Sequence, residues 1–400
     1  MNRRDLLKFF LAMTALPATG YCTNALAAST NQSRFLLIFL RGGYDACNLL
    51  VPTSSNFYYE SRPNIAIARP SDNPQSALAL NADWGLHPAL RDTIYPLYKN
   101  GEVAFIPFAG TDDLTRSHFE TQDTIELGQP LNASRNYHSG FMNRLASVIN
   151  GGKGIPAMAF TDQLPISMQG TASVGNTSLR NLSKPGVDPR QTDIIQKMYG
   201  KTGLAQQVSE GFAVRQDIAM EMQDEMNAAN RDAITAKGFA LEAKRIAKMM
   251  REKYSLGFID VGGWDTHVDQ GGAKGALAGK FEELGRGLAA YKDEMGDAWH
   301  DTTVVVISEF GRTFRENGKR GTDHGHGSVY WVLGGGIKGG QILGEQTQVN
   351  ASQLFQNRDF PVLNEYRAVL GGLFSRIYGL NSQQINTVFS GVKIRDLGII

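Results

Sequence analysis

Thr302–Gly327 reads TTVVVISEFGRTFRENGKRGTDHGHG. Its opening run, TTVVVIS, is apolar and β-branched without alternation, the pattern of a strand buried on both faces of a parallel sheet. The run ends on a carboxylate, Glu309, and a short basic loop leads from there to Asp323, His324 and His326. Metal-ligating or acid/base side chains gathered after the C-terminal end of such a strand stand where open α/β sheets place their ligands. The segment therefore predicts both a fold class and the edge of the sheet that carries the chemistry.

Working outward, similar runs recur at Arg34–Leu40, Val103–Phe108, Ala157–Phe160, Leu256–Val261 and Ser328–Leu333. Helical patterns lie between them at Pro88–Lys99, Ser117–Leu127, Ser209–Lys253 and Gly275–Ala298. Strands alternating with helices predict an α/β layered domain. Gln163–Gly203, rich in Gly, Ser, Asn and Thr, and the long charged stretch that follows predict cap insertions around 163–253 on one domain spanning 29–400. The methionines at 220, 222, 226, 249 and 250 are read as gap-filling core side chains rather than a cofactor box.

Residues 1–28 have the parts of an export signal: Arg3-Arg4 and Lys8, an apolar core from Phe9 to about Pro17, and small residues around Ala25-Leu26-Ala27. Arg-Arg followed by Asp5-Leu6-Leu7-Lys8 is close to the twin-arginine pattern, an address read by an export machinery that carries folded chains. The expected location is the periplasm or the exterior. The apolar core is far short of the roughly 20 residues a bilayer needs, so no stable membrane span is expected after signal removal. A formal charge of +1 in 400 residues argues against a nucleic-acid partner. Of the two cysteines, Cys22 lies in the signal, and Cys47 by itself forms no internal disulfide.

Three further motifs follow strand ends. RGGYDACN presents Asp45 after a Gly42-Gly43 turn, and a carboxylate there suits a cation. The alternative is a turn or helix cap. TRSHFETQ places Ser117 at a helix N-terminus with Arg116 beside it, where the helix dipole favours an alkoxide or a bound phosphate. The bland reading of the same residues is a capping box between Ser117 and Glu120. GGWDTH carries Asp265 and His267 two residues apart, a spacing that points both side chains the same way in an extended loop. Of seven histidines, four (His118, His267, His324, His326) lie inside these motifs. His87, His138 and His300 lack such company and are read as structural or exposed.

Taken together, RGGYDACN, TRSHFETQ, GGWDTH, SEFGRT and TDHGHG resemble the exported bacterial family catalogued as domain of unknown function 1501. That resemblance implies membership of the alkaline phosphatase and sulfatase superfamily, with a three-layer αβα sandwich around a mainly parallel sheet and commonly two metal ions at its C-terminal edge. By that template Asp45, Asp265, His267, Glu309, Asp323, His324 and His326 become candidate ligands for one or two divalent cations, with zinc, manganese, magnesium and calcium undistinguished. Ser117 becomes the candidate nucleophile and Arg116 its oxyanion partner. Phe310 departs from the template, because a histidine is expected after the strand carboxylate. Cys47 also lacks the Cys-x-Pro-Ser-Arg setting of the sulfatase nucleophile.

The function expected is an exported metal-dependent hydrolase or transferase acting on phosphoric or related sulfuric esters, on a small molecule or an envelope polymer. The rival is a non-catalytic exported binding or assembly factor that keeps the fold and a structural metal. A carboxylate-pair glycosidase fits less well, because that mechanism does not call for histidines.

Overall fold

The computed structural model describes residues 33–149, 155–179, 189–212 and 238–400. The export signal expected at 1–28, and the parts of the expected cap at 180–188 and 213–237, lie outside the described residues. The described residues belong to one compact unit.

The principal strands are β1 (Arg34–Leu40), β2 (Val103–Gly110), β3 (Ala157–Ala159), β4 (Leu256–Val261), β5 (Thr302–Ser308) and β6 (Ser328–Gly334). The principal helices are α1 (His118–Leu127), α2 (Phe141–Val148), α3 (Phe239–Glu252), α4 (Ala276–Met295), α5 (Tyr366–Tyr378) and α6 (Ser382–Val388). The sheet runs Gln341–Ile342, β2, β6, β5, β1, β4, β3, Gly175–Asn176, with Asn364–Glu365 also on β2. β1 is central and parallel to both β4 and β5. β6 alone of the long strands is antiparallel, to β2 on one side and β5 on the other. The expected α/β architecture around a mainly parallel sheet is thus present, and β6 is the exception.

The period-two geometry of a strand sorts the unbroken apolar runs onto two faces. Leu36, Ile38, Val304, Val306, Val329 and Trp331 enter one core, which α3 and α4 complete through Ile246, Met250, Phe281 and Leu288. Phe35, Leu37, Val305, Ile307, Tyr330 and Val332 enter the other, completed by α2, α5 and α6 through Leu145, Leu370, Phe374 and Val388. Two cores on one sheet make the three layers. Met249 and Met250, read as core filler, are buried in the first of them. No helix among the described residues is long and apolar enough to cross a membrane.

Because β2 runs antiparallel to β6, and β6 antiparallel to β5, the C-terminal ends of β1, β2, β4 and β5 share one edge of the sheet. All the motifs singled out above follow those four ends. Two glycines let the loops converge there. At Gly42 (φ +124°) a Cβ would lie 2.6 Å from the backbone nitrogen of Asp265, and at Gly43 (φ +60°) it would strike the Phe310 ring. Any side chain at either position would push apart the segments that carry the site.

His87 is fully buried beside Phe281. Its Nδ1 accepts from the Ala89 amide at 3.1 Å, so Nε2 carries the proton and donates to the Gly272 carbonyl, also at 3.1 Å. A second proton on Nδ1 would face a donor, and burial pushes the pKa down to about 4. The sign follows from linkage: below the unfolded value of about 6.5 the unfolded chain takes up a proton that the folded chain refuses until about pH 4. Stability is therefore expected to fall across that window, by up to about 3 kcal/mol from this group. Urea midpoints measured from pH 7 to 4 should fall less steeply in His87→Asn, and parallel curves would remove the assignment.

Candidate metal centre

Arg312 ties the edge together. It is fully buried in its side chain, and its Nε donates to the carbonyl of Gly43, NH2 to those of Gly42 (2.7 Å) and Trp264 (3.3 Å), and NH1 to that of Thr322 (3.0 Å). NH2 also donates to Asp265 Oδ1. One guanidinium thus joins the segments that follow β1, β4 and β5, and it aims Asp265 at the opening.

Around Asp265 stand three imidazoles. His118, Asp265 and His324 each offer a ligand atom, and these atoms lie within 4.8 Å of one another. His267 adjoins them: its Nε2 is 2.8 Å from Asp265 Oδ1 and 3.2 Å from His324 Nε2. In each ring Nδ1 faces an acceptor. His118 Nδ1 is 2.7 Å from Glu309 Oε1, His267 Nδ1 is 3.1 Å from Asp323 Oδ1, and His324 Nδ1 is 3.0 Å from the Arg116 carbonyl. Those acceptors fix the proton on Nδ1 and leave three Nε2 lone pairs directed at one carboxylate.

This arrangement fits a cation better than it fits itself. His118 Nε2 is buried without a hydrogen-bond partner, its nearest carboxylate oxygen, Asp265 Oδ2, being 3.5 Å away. The facing Nε2 atoms of His267 and His324 need a proton or a cation between them, since two lone pairs repel. A buried polar atom without a partner costs about 1–3 kcal/mol, and ligation would remove that cost. Three nitrogens and one oxygen are a donor set for a borderline cation such as zinc, whereas magnesium and calcium prefer all-oxygen sets.

The electrostatics agree with this geometry. Burial would raise the Asp265 carboxyl, but the Arg312 guanidinium, with help from His267 and His118, holds it below the ordinary range. Burial would likewise raise Glu309, which hydrogen bonds from His118, Gln122 and backbone amides keep below it. The Glu309 bond makes the His118 imidazole more basic than usual, whereas burial makes that of His324 less so.

Asp265, His267 and His324, expected as ligands, are brought together. Asp45 is elsewhere: fully buried, it forms a two-point ion pair with Arg62 (2.6 and 3.1 Å) and accepts from Gln270 at 2.6 Å. Nor does its side chain cap the short helix Ala46–Leu49 that follows it. Glu309 Oε1 already accepts from Gly42 N, His118 and Gln122, and Oε2 from the Ser308 hydroxyl. It lies behind His118 as that ring's acceptor, and Asp323 does the same for His267. His326 is buried against Phe355 at 4.9 Å and does not enter the group.

His118 was absent from the expected ligand set, although its motif and the clustering of four histidines both pointed to it. Phe310 does not empty the site. Its ring packs 4.9 Å from His118 and 5.0 Å from His324, forming an apolar wall beside the two nitrogens, and His324 enters from the following loop.

Arg116 has φ +52°, an uncommon conformation for a non-glycine residue, and it aims the carbonyl that fixes His324. Its guanidinium is committed to Asp359 Oδ2 through Nε (2.9 Å) and NH2 (2.6 Å). Ser117 caps α1 by accepting from Glu120 N at 3.5 Å, but the Glu120 carboxylate pairs with Arg135 at 2.7 Å, so the capping box is half formed. The partly exposed Ser117 hydroxyl immediately precedes His118.

A family model described as "Protein of unknown function (DUF1501)" matches residues 32–389, which bears out the resemblance read from the motifs. No curated protein matches. Among solved structures, Ps i-CgsB is 10% identical with a TM-score of 0.37, over 90% of this chain and 75% of that one. The same protein in complex with k-i-k-neocarrahexaose gives 10% and 0.34, over 88% and 74%. A protein in the alkaline phosphatase superfamily from Vibrio parahaemolyticus is 11% identical with a TM-score of 0.36, over 78% of this chain and 62% of that one. At this level of likeness no activity is transferred.

Proposed function

We propose a function for a chain that belongs to the DUF1501 family and takes no activity from that family's description: an exported, metal-dependent hydrolase or transferase acting on phosphoric or related sulfuric esters. The observation that carries it is the convergence of three Nδ1-anchored imidazoles on Asp265, with His118 Nε2 buried and unpartnered. His118, Asp265, His267 and His324 would hold one divalent cation. When bound, such a cation supplies Lewis acidity to an ester oxygen and lowers the pKa of a hydroxyl or water. The twin-arginine N-terminus supports export to the periplasm or beyond.

The chain's own residues account for the rest. Glu309, Asp323 and the Arg116 carbonyl hold the three Nδ1 protons and so orient the rings. Ser117 offers a hydroxyl beside a ligand and at the positive end of α1, where an alkoxide is stabilised. The His118 and Phe119 amides open α1, where the polarity of the helix end suits an anionic ester oxygen, and Phe310 walls one side of His118 and His324.

One observation favours the second reading, a non-catalytic binding factor with a structural metal. Arg62, Arg116 and Arg312 are each committed to carboxylates and carbonyls within the fold, so none of the three waits for a substrate anion. Metal analysis of protein from the exported fraction, with a screen of phosphate monoesters, phosphate diesters and sulfate esters, separates the two. About one cation per chain is expected, lost in Asp265→Asn, with turnover that Ser117→Ala reduces at least about a hundredfold. Bound cation without turnover on any class would favour the binding factor, and the absence of any cation would remove both.

A further inference from the structure

Two carboxamides lie one layer behind the imidazoles. Gln122 closes the TRSHFETQ motif, and Asn317 sits in the loop between Glu309 and Asp323. Each stands directly behind a carboxylate that faces a ligand histidine. Gln122 Nε2 donates to Glu309 Oε1 at 2.9 Å, the same oxygen that faces His118 Nδ1. Asn317 Nδ2 donates to Asp323 Oδ1 at 3.1 Å, the same oxygen that faces His267 Nδ1, and also to the His267 carbonyl at 3.0 Å. The two arms of the site are built alike.

Neither amide is free to turn over. Gln122 Oε1 accepts from Arg41 NH1 at 2.8 Å, and a guanidinium only donates. Arg41 is held in turn by Glu126 at 2.9 Å and by Asp260 of β4 at 2.6 Å. His118, Gln122 and Glu126 follow one another at intervals of four along α1, which sets them on one face of the helix. Asn317 Oδ1 accepts from the amides of Lys319 (2.9 Å) and Gly321 (3.1 Å), which leaves Nδ2 as the end that meets Asp323.

The third imidazole needs no such support. His324 Nδ1 faces the Arg116 carbonyl, a peptide group whose direction the backbone sets. A carboxylate instead hangs on rotatable bonds, and one that turns away takes the Nδ1 acceptor with it. Asp323 has the most room to do so, since its side chain is 51% exposed.

The geometry points to Gln122 and Asn317 as positioning residues of the cation site: Gln122 pins the carboxylate that fixes His118, and Asn317 pins the one that fixes His267. This rests on the metal-dependent reading above. Zinc titration of the full chain and two variants is the test, with the absorption of the cobalt-loaded forms reporting ligand geometry. Gln122→Met keeps the length of the side chain and leaves Arg41 its two carboxylates. Asn317→Ser keeps an oxygen for the Lys319 amide but is too short to reach Asp323. Each is expected to weaken zinc about tenfold, the lower end of what losing an outer partner of a ligand does, and to shift the cobalt bands. In a Glu309→Gln background, Gln122→Met should add less than about twofold, because the carboxylate it acts through is gone.

Zinc affinity within about twofold of the unaltered chain in both variants, or full additivity of Gln122→Met with Glu309→Gln, would overturn the inference. So would lower unfolding midpoints of the zinc-free variants with unchanged cobalt spectra, the mark of a merely structural role. A loss in one variant alone would overturn the assignment of the other. Failure of the underlying reading shows separately: an unaltered chain that takes up no zinc removes the site and the positioning with it.

Discussion

Arg312→Met is expected to lower stability by about 3–5 kcal/mol and to weaken cation binding with it. The side chain is buried, and its guanidinium satisfies the carbonyls of Gly42, Gly43, Trp264 and Thr322 as well as Asp265. Methionine fills similar volume but leaves four carbonyls without this donor and Asp265 without its counter-ion, so the loss comes from stranded polar groups rather than from a cavity. Arg312→Lys is expected to recover only part, because one ammonium cannot reproduce a planar fork spread over three loops. Denaturant unfolding measures the first effect and zinc titration of the still-folded fraction the second. A loss below about 1 kcal/mol would contradict the tying role. Unchanged zinc affinity at reduced stability would leave Arg312 structural without a role in aiming Asp265.

Arg62→Met is expected to cost a similar amount, about 3–5 kcal/mol, because it strands the Asp45 carboxylate in a fully buried site. All five guanidinium donors of Arg62 are in use, on Asp45, Asn48, Phe314 O and Thr313 O. The double variant Asp45→Leu/Arg62→Met removes both charges together and is expected to regain most of the loss, since replacing a whole buried pair by apolar groups is often near neutral. Gln270 still finds Thr266 and Thr322 at its carbonyl oxygen. Cation content should be unchanged in the double variant. If it fell to zero while the protein stayed folded, Asp45 would be a ligand after all and its pairing with Arg62 would not describe the loaded state.

Legibility differed between strands and side chains. β1, β4 and β5 were read to the residue, because a strand covered on both faces must be apolar at every position and stops where polar or glycine residues begin. The helix at 117–127 was likewise marked by its cap. β6 had the same apolar signature as its neighbours, yet it enters the sheet antiparallel, since composition does not record direction. The Pro88–Lys99 pattern resolves into a 3-10 turn at Pro88–Leu90 and a helix at Ile94–Lys99, interrupted by the non-helical Thr93.

The candidate site was legible as a set of motifs and only partly as a set of roles. His267, His324 and Asp265 are ligand-type residues after strand ends, and they do meet. His118 belongs with them through a signal present in the chain, the clustering of histidines, but the serine before it also has the chemistry of a nucleophile, and sequence alone does not rank the two. Glu309 and Asp323 have the chemistry of ligands and the position of orienting acceptors, and which of the two a carboxylate becomes depends on whether an imidazole stands between it and the opening.

By itself the sequence determined the α/β class, the sheet edge that carries the chemistry and the residue types gathered there, because burial and turn geometry act on neighbours along the chain. Only the tertiary structure decided the partners. Arg62 lies 17 residues from Asp45 and Arg312 lies 47 from Asp265, and no local pattern says which buried charge a given guanidinium will neutralise. The cost of an unpaired buried charge forces every such pairing to be completed, but the three-dimensional packing of the loops chooses the pairs. That choice took Asp45 out of the opening and placed His118 within it.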